Sequence, residues 1–185
     1  MALTPAPIKA EITSFPWYDW FNKLYQYLDR AASNGCFQDT TTQTAASANT
    51  AYAMSCNTTD FARNVAVING TKFTVNTAGR YNIAFSAQFE NSDTQAHDVD
   101  IWFAVSGTNV AGSNSQITIP SKHGSTKGHF IAAWNIFLDM VQNDYVEIMW
   151  STASTTVSIP TIPPQTSPTR PETPSVIVTI NQVLT

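Results

Sequence analysis

The sequence predicts a mainly β chain, an antiparallel two-sheet sandwich of the jelly-roll kind, preceded by an N-terminal arm and one amphipathic helix. Three observations predict it. Residues 35–159 hold runs that alternate apolar and polar with a period of two, as a strand with one buried face must. Turn-forming residues punctuate those runs. The last apolar run, Val176 to Val183, belongs in the middle of a sheet beside the first strand, and closing a sandwich with its last strand is a jelly-roll trait.

The 185 residues suit one domain with an appendage better than two domains. Only 12% are charged, against an average of about 25%, so the surface is built largely from Thr, Ser, Asn and Gln. Such a surface suits virion, cell-surface and secreted proteins better than cytosolic enzymes. Nine Lys and Arg against thirteen Asp and Glu leave no basic stripe to neutralise phosphates, which excludes nucleic acid as a partner. No run approaches the ~20 apolar residues of a membrane span, so no membrane partner is expected. Residues Met1 to Pro7 have neither a basic n-region nor an apolar h-region, so a secretory leader is not expected either.

The first segment, residues 1–34, is an arm carrying Pro5 and Pro7 followed by a helix. Ser14 can cap it and Pro16 fits the first turn. Trp17, Trp20, Phe21, Leu24, Tyr27, Leu28 and Ala31 follow a spacing of three and four, which predicts a helix ending near Asn34-Gly35 with one aromatic stripe. Such a stripe packs on its own domain, or it docks on another protein or on copies of itself, since interfaces prefer Trp and Tyr. The extended arm favours docking.

The second segment, residues 35–159, is strands. Tyr81, Ile83, Phe85, Ala87 and Phe89 alternate with Asn82, Ala84, Ser86, Gln88 and Glu90. Val99, Ile101, Phe103 and Val105 alternate with Asp98, Asp100 and Trp102 in the same way. Residues 76–79 and 106–109 are the neighbouring turns. Phe130 to Leu138, Tyr145 to Trp150 and Val176 to Val183 are apolar on both faces, and two-sided burial in an all-β domain points to an oligomer interface. Residues 159–175 carry six of the ten prolines and read as a long extended connection over the surface. Residues 35–185 thus form the sandwich, with the Pro-rich connection inside it. Cys36 and Cys56 lack the spacing of a zinc site and read as buried free thiols.

Phe73, Val75, Gly79, Tyr81, Ile83 and Phe85, within residues 72–85, resemble the strand–turn–strand signature of the complement-type globular head, a branch of the tumour-necrosis-factor-like jelly rolls. Leu138 followed by residues 143–148 is similar to that family's later turn and strand, with Asn143 where a Gly is usual. Residues 168–180 are similar to the ends of phage-encoded members found among virion structural genes. The resemblance implies a homotrimer in which the sheet of the first, last and central strands packs about a threefold axis. The small-residue face of Ala84, Ser86 and Gln88, with Ile131, Ala133, Phe137, Ile177 and Thr179 from the doubly apolar strands, then forms the trimer interface.

Convergent titratable groups are scarce. His97, Asp98 and Asp100 share one strand, but two carboxylates fall short of the six to eight oxygens that calcium takes. His123 and His129 flank Gly124 and Gly128 without a Ser–Asp pairing and read as a loop entering a strand. No catalytic residue, metal site or cofactor is predicted, and the chain is not read as an enzyme. Asn57 and Asn69 head glycosylation sequons, which have no meaning without a secretory route. The resulting expectation is a structural protein of a bacteriophage virion. It would be a homotrimeric capsid decoration (cement) protein or short head fibre, on the outer surface of the particle and in the host cytoplasm during assembly. Trp17, Trp20, Phe21, Leu24, Tyr27 and Leu28 would anchor it to capsid or other virion proteins. The alternative is a trimeric knob of a tail fibre that binds a receptor or a host surface glycan; the absence of heptads or repeats for a shaft disfavours it.

Overall fold

A 13-residue strand that buries every second side chain, Gly79–Asn91, sits at the centre of the fold and fixes the positions of its neighbours. The computed structural model describes residues 15–30 and 33–183. Along them run α1 (Phe15–Arg30), β1 (Asn34–Asp39), β2 (Gln43–Thr44), β3 (Tyr52–Ala53), β4 (Thr58–Arg63), β5 (Val65–Ile68), β6 (Lys72–Val75) and β7 (Gly79–Asn91). Then come β8 (His97–Val105), β9 (Thr108–Asn109), β10 (Ser115–Ile119), β11 (Gly128–Met140), β12 (Tyr145–Thr152), β13 (Val157–Ile159), β14 (Gln165–Thr166), β15 (Thr169–Arg170) and β16 (Val176–Val183).

Two antiparallel sheets face each other in a jelly-roll sandwich. In the first, β7 pairs with β11 on one side; on the other side it pairs with β16 along residues 80–87 and with β13 at residues 90–91. The order continues from β16 to β1 and β4, so the last strand lies between the first and the central one, as its Val and Ile content predicts. The second sheet runs β10, β8, β12, β6, β5, with β3 and β9 added at β12 and β8. Aromatic rings join the two layers: Phe37 meets Phe73, Phe85 meets Phe103 and Phe89 meets Trp150, with centroids 5.5, 5.9 and 5.9 Å apart. The predicted core face of β7, Tyr81 to Phe89, is buried throughout, as are Val99, Ile101 and Phe103 of β8.

Polar side chains settle the connections. Asp39 is buried, yet its carboxylate accepts from the Thr41 N–H and hydroxyl, the Gln43 amide and the Ser55 hydroxyl, which ties the Thr/Ser-rich stretch after β1 to the sandwich. Asn143 takes φ = 69° in the turn between β11 and β12. Asn tolerates this left-handed conformation better than most residues, so it can stand where a Gly is usual.

Four details differ from the sequence-based expectations. The described part of the helix runs to Arg30 and Asn34 already pairs with Asn181, so Asn34 and Gly35 open β1 instead of closing α1. The Pro-rich stretch does not simply lie extended: it folds back as the β14–β15 hairpin, whose turn holds a cis Ser167–Pro168 bond, and Ile162 and Thr173 exchange N–H···O bonds of 3.0 and 2.8 Å. Its non-proline residues supply the ladder donors. Thr108 and Asn109 are a short strand rather than part of the turn, which is confined to Ser106 and Gly107 with φ of 47° and 82°. Finally, β12 lies in the second sheet and buries only Val146, Ile148, Trp150 and Thr152, while Glu147 and Met149 face outward; it is not doubly apolar.

Candidate subunit interface and docking helix

Because a strand alternates its faces, the registers decide which residues share the outer surface of the first sheet. Ser86 lies opposite Ala133 on β11 and Ile177 on β16, and Ile177 lies opposite Gln38 on β1. One row along, Ala84 lies opposite Asn135 and Thr179; Thr179 is followed by Cys36 and then by Phe61 of β4. Gln88 pairs with Ile131, and Asn82 with Phe137 and Asn181. All eight residues expected at the interface, Ala84, Ser86, Gln88, Ile131, Ala133, Phe137, Ile177 and Thr179, therefore lie on one face. They come from three strands, β7, β11 and β16, that lie more than thirty residues apart in sequence.

This face is apolar where the other sheet's outer face is not. Phe61, Ile131, Phe137 and Ile177 are exposed on it. The corresponding face of the second sheet carries hydrogen-bonded polar groups: Asp98 accepts from the Thr118 hydroxyl at 2.6 Å, Thr71 donates to Glu147 at 3.1 Å, and the Lys72 ammonium lies over the Tyr145 ring at 4.5 Å. Polar groups on the apolar face are paired as well. The Arg80 guanidinium grips Asp139 at 2.8 and 2.9 Å, and Asn135 donates to Asn82 at 2.7 Å. The Arg80 hydrogen bonds hold the Asp139 carboxyl below its ordinary range. Phe61 escapes the sequence reading because β4 is exposed along its whole length and Asp60 forms a bulge opposite β1, which breaks any alternation.

Cys36 also lies on this face, so it is not one of the buried core thiols expected. Its Sγ donates to Asp60 at 3.4 Å, and desolvation followed by that carboxylate raises its pKa. Cys56 is buried, and desolvation pushes its thiol well above the ordinary range. Both are free.

In α1 the rings of Trp17, Trp20 and Phe21 pack on one another with centroids 5.1 to 5.7 Å apart. Trp17, Trp20 and Leu24 are half-buried while Phe21 is exposed, and the side chains of Tyr27 and Leu28 lie outside the described residues. Tyr18 and Tyr25 are more exposed still; with Phe21 they make a second aromatic row at a spacing of three and four that the stripe reading overlooked.

The remaining polar candidates are engaged locally. His97 Nε2 lies 2.9 Å from Asp93 Oδ2, an interaction that holds the Asp93 carboxyl down. His123 exchanges backbone hydrogen bonds with Thr126, and His129 is in β11 rather than in the loop before it. Among the described residues no group of three His, Cys, Asp or Glu side chains is placed to hold a metal ion.

No protein-family model matches the chain, and no curated protein matches its sequence. Among solved structures, the globular domain of the zebrafish complement 1qA protein is similar to it, with a TM-score of 0.47 at 10% identity, over 83% of this chain and 98% of that one. That likeness concerns the path of the chain and carries no functional argument.

Proposed function

We propose that this chain is a structural protein of a bacteriophage virion, a homotrimer that decorates the capsid or forms a short head fibre and is held to the particle by its N-terminal segment. The observation that carries the trimer is the outer face of the first sheet, where Phe61, Ile131, Phe137 and Ile177 are exposed together beside small residues that allow close approach. An apolar face of this kind on a soluble sandwich is covered by a partner, and a closed homo-oligomer is the commonest cover. The virion role rests on the neutral polar surface and on the similarity of residues 168–180 to phage-encoded proteins. The anchor rests on the two aromatic rows of α1, whose exposed rings are the kind that interfaces use.

Native mass spectrometry of the purified chain tests the trimer: a stable monomer at micromolar concentration refutes it. Removal of the helix tests the anchor. Ser33 is buried and its carbonyl accepts from the Gln182 N–H at 2.9 Å, so the cut belongs before Ser33. The chain starting at Ser33 folds and trimerises but no longer binds particles stripped of the protein. Three helices on one trimer bind more tightly than one through effective concentration. Undiminished binding by the shortened chain would place the anchor in the sandwich.

A further inference from the structure

On the second sheet, remote from the proposed subunit interface, a groove of about 440 Å³ opens beside Trp102. Its volume falls in the range of roughly 300–1,000 Å³ typical of small-molecule sites. Asp100 and Trp102 project from one face of β8 at a spacing of two, Ser151 lies opposite Asp100 on β12, and Asn109 of β9 with Gly112 and Asn114 of the turn after it form the far side.

Two features make this a built surface. The indole N–H of Trp102 donates to Asn109 Oδ1 at 2.8 Å, which fixes the plane of the ring, and Asn114 donates to Asp100 Oδ1 at 3.1 Å, which fixes the carboxylate. Gly112 takes φ = 75°, and a Cβ there would meet nothing within 4 Å, so the wall is open on that side. Those bonds leave Asp100 Oδ2, the Asn109 amide N–H groups and Asn114 Oδ1 without a hydrogen-bond partner among the described residues.

We infer that this groove binds a neutral saccharide. A fixed indole offers its electron-rich face to the weakly positive C–H face of a pyranose. The carboxylate and amides around its rim supply acceptors and donors in the alternation that vicinal hydroxyls require. Among the described residues no Lys, Arg or His lines the groove, so an anionic sugar or a phosphate finds no counter-charge there, and Asp100 repels it. If the first sheet is the trimer interface, the grooves face outward in three copies, and a weak single site gains from multivalency. Virion attachment does not require this site, so either can fail without the other.

The test is titration of the isotope-labelled full chain with maltose, cellobiose, lactose and chitobiose, followed by the Trp102 indole resonance and the Asn109 and Asn114 amide resonances. At least one sugar shifts all three with a dissociation constant on the order of 1 mM. Trp102→Ala weakens it at least ~10-fold. Because Trp102 is half-buried, Asp100→Ala and Asn114→Ala provide the independent check, each weakening binding while the rest of the spectrum and the oligomeric state are unchanged. The inference is overturned if none of the four sugars moves the Trp102 resonance at about 50 mM, well above that constant, or if Asp100→Ala binds as wild type. Preferential binding of glucuronic acid or of a peptide at the same resonances overturns it equally.

Discussion

Replacing Ile131 and Phe137 by Ser on the outer face of the first sheet separates subunit association from folding. Ile131 is 61% exposed in the isolated chain and Phe137 56%, so each still has more than half of its surface to cover. Full burial of a large apolar side chain contributes roughly 1.5–3 kcal/mol, and the uncovered share is then about 1–2 kcal/mol per side chain. Two such residues in three subunits contribute about 6–12 kcal/mol to assembly, or about four decades or more in the association constant. Sedimentation velocity between about 1 and 100 μM and native mass spectrometry read the outcome: wild type remains trimeric across the series and the double variant runs as a monomer. Its far-ultraviolet spectrum stays native, because neither side chain belongs to the buried core. A double variant that assembles like wild type would refute the choice of face; a native-state loss of β structure would show that these side chains support the sandwich itself.

Ala84→Arg places a cation in the middle of the same face, between Asn135 and Thr179, and is expected to abolish the trimer in light scattering while sparing the monomer's spectrum. Asp39→Ala leaves four donors around a buried position without their acceptor; the melting free energy is expected to fall by about 3 kcal/mol or more in urea unfolding. Asp93 and Asp139 both have lowered pKa values in the folded chain, through the hydrogen bonds from His97 and Arg80, respectively. Their contribution is therefore complete above the ordinary Asp value of about 3.9 and is lost as the pH falls through it toward the lowered values. The melting temperature is expected to decline below about pH 4, less steeply in Asp139→Asn; a decline beginning near neutrality would point to other groups.

Where the chain obeys a simple period, the sequence was sufficient. The β7 alternation identifies both the core face and the outer face, and the register of β11 and β16 then follows, because a shift of one residue would expose Val178 and Ile180. The role of Asn34 and Gly35 was not legible, since the stripe continues to Ala31 and Gly35, whose Cβ would meet the Phe37 ring at 2.6 Å, looks like a helix terminator yet serves a strand. Two-residue strands such as β2, β3 and β9 are too short to have a period. The Pro-rich hairpin was hidden because composition counts prolines and says nothing of the Thr161–Thr173 hydrogen bond that closes its base at 3.0 Å. Trp102 was visible as the outward member of an alternating strand, but its groove draws on three segments, and only the folded registers unite them.

The place of β16 between β1 and β7 has a consequence for synthesis. While the ribosome makes residues 92–183, the edges of β1 and β7 that will receive β16 both stand open. At about 5–20 residues per second that interval lasts roughly 5–20 s. A nascent chain can meanwhile form the second sheet, whose strands all precede residue 153, but its first sheet waits with a strand-wide slot. On a crowded polysome that slot faces the same slot in neighbouring chains. A premature stop that removes Val176–Val183 accordingly takes out the sheet's middle, leaving two exposed edges that can pair with each other across chains.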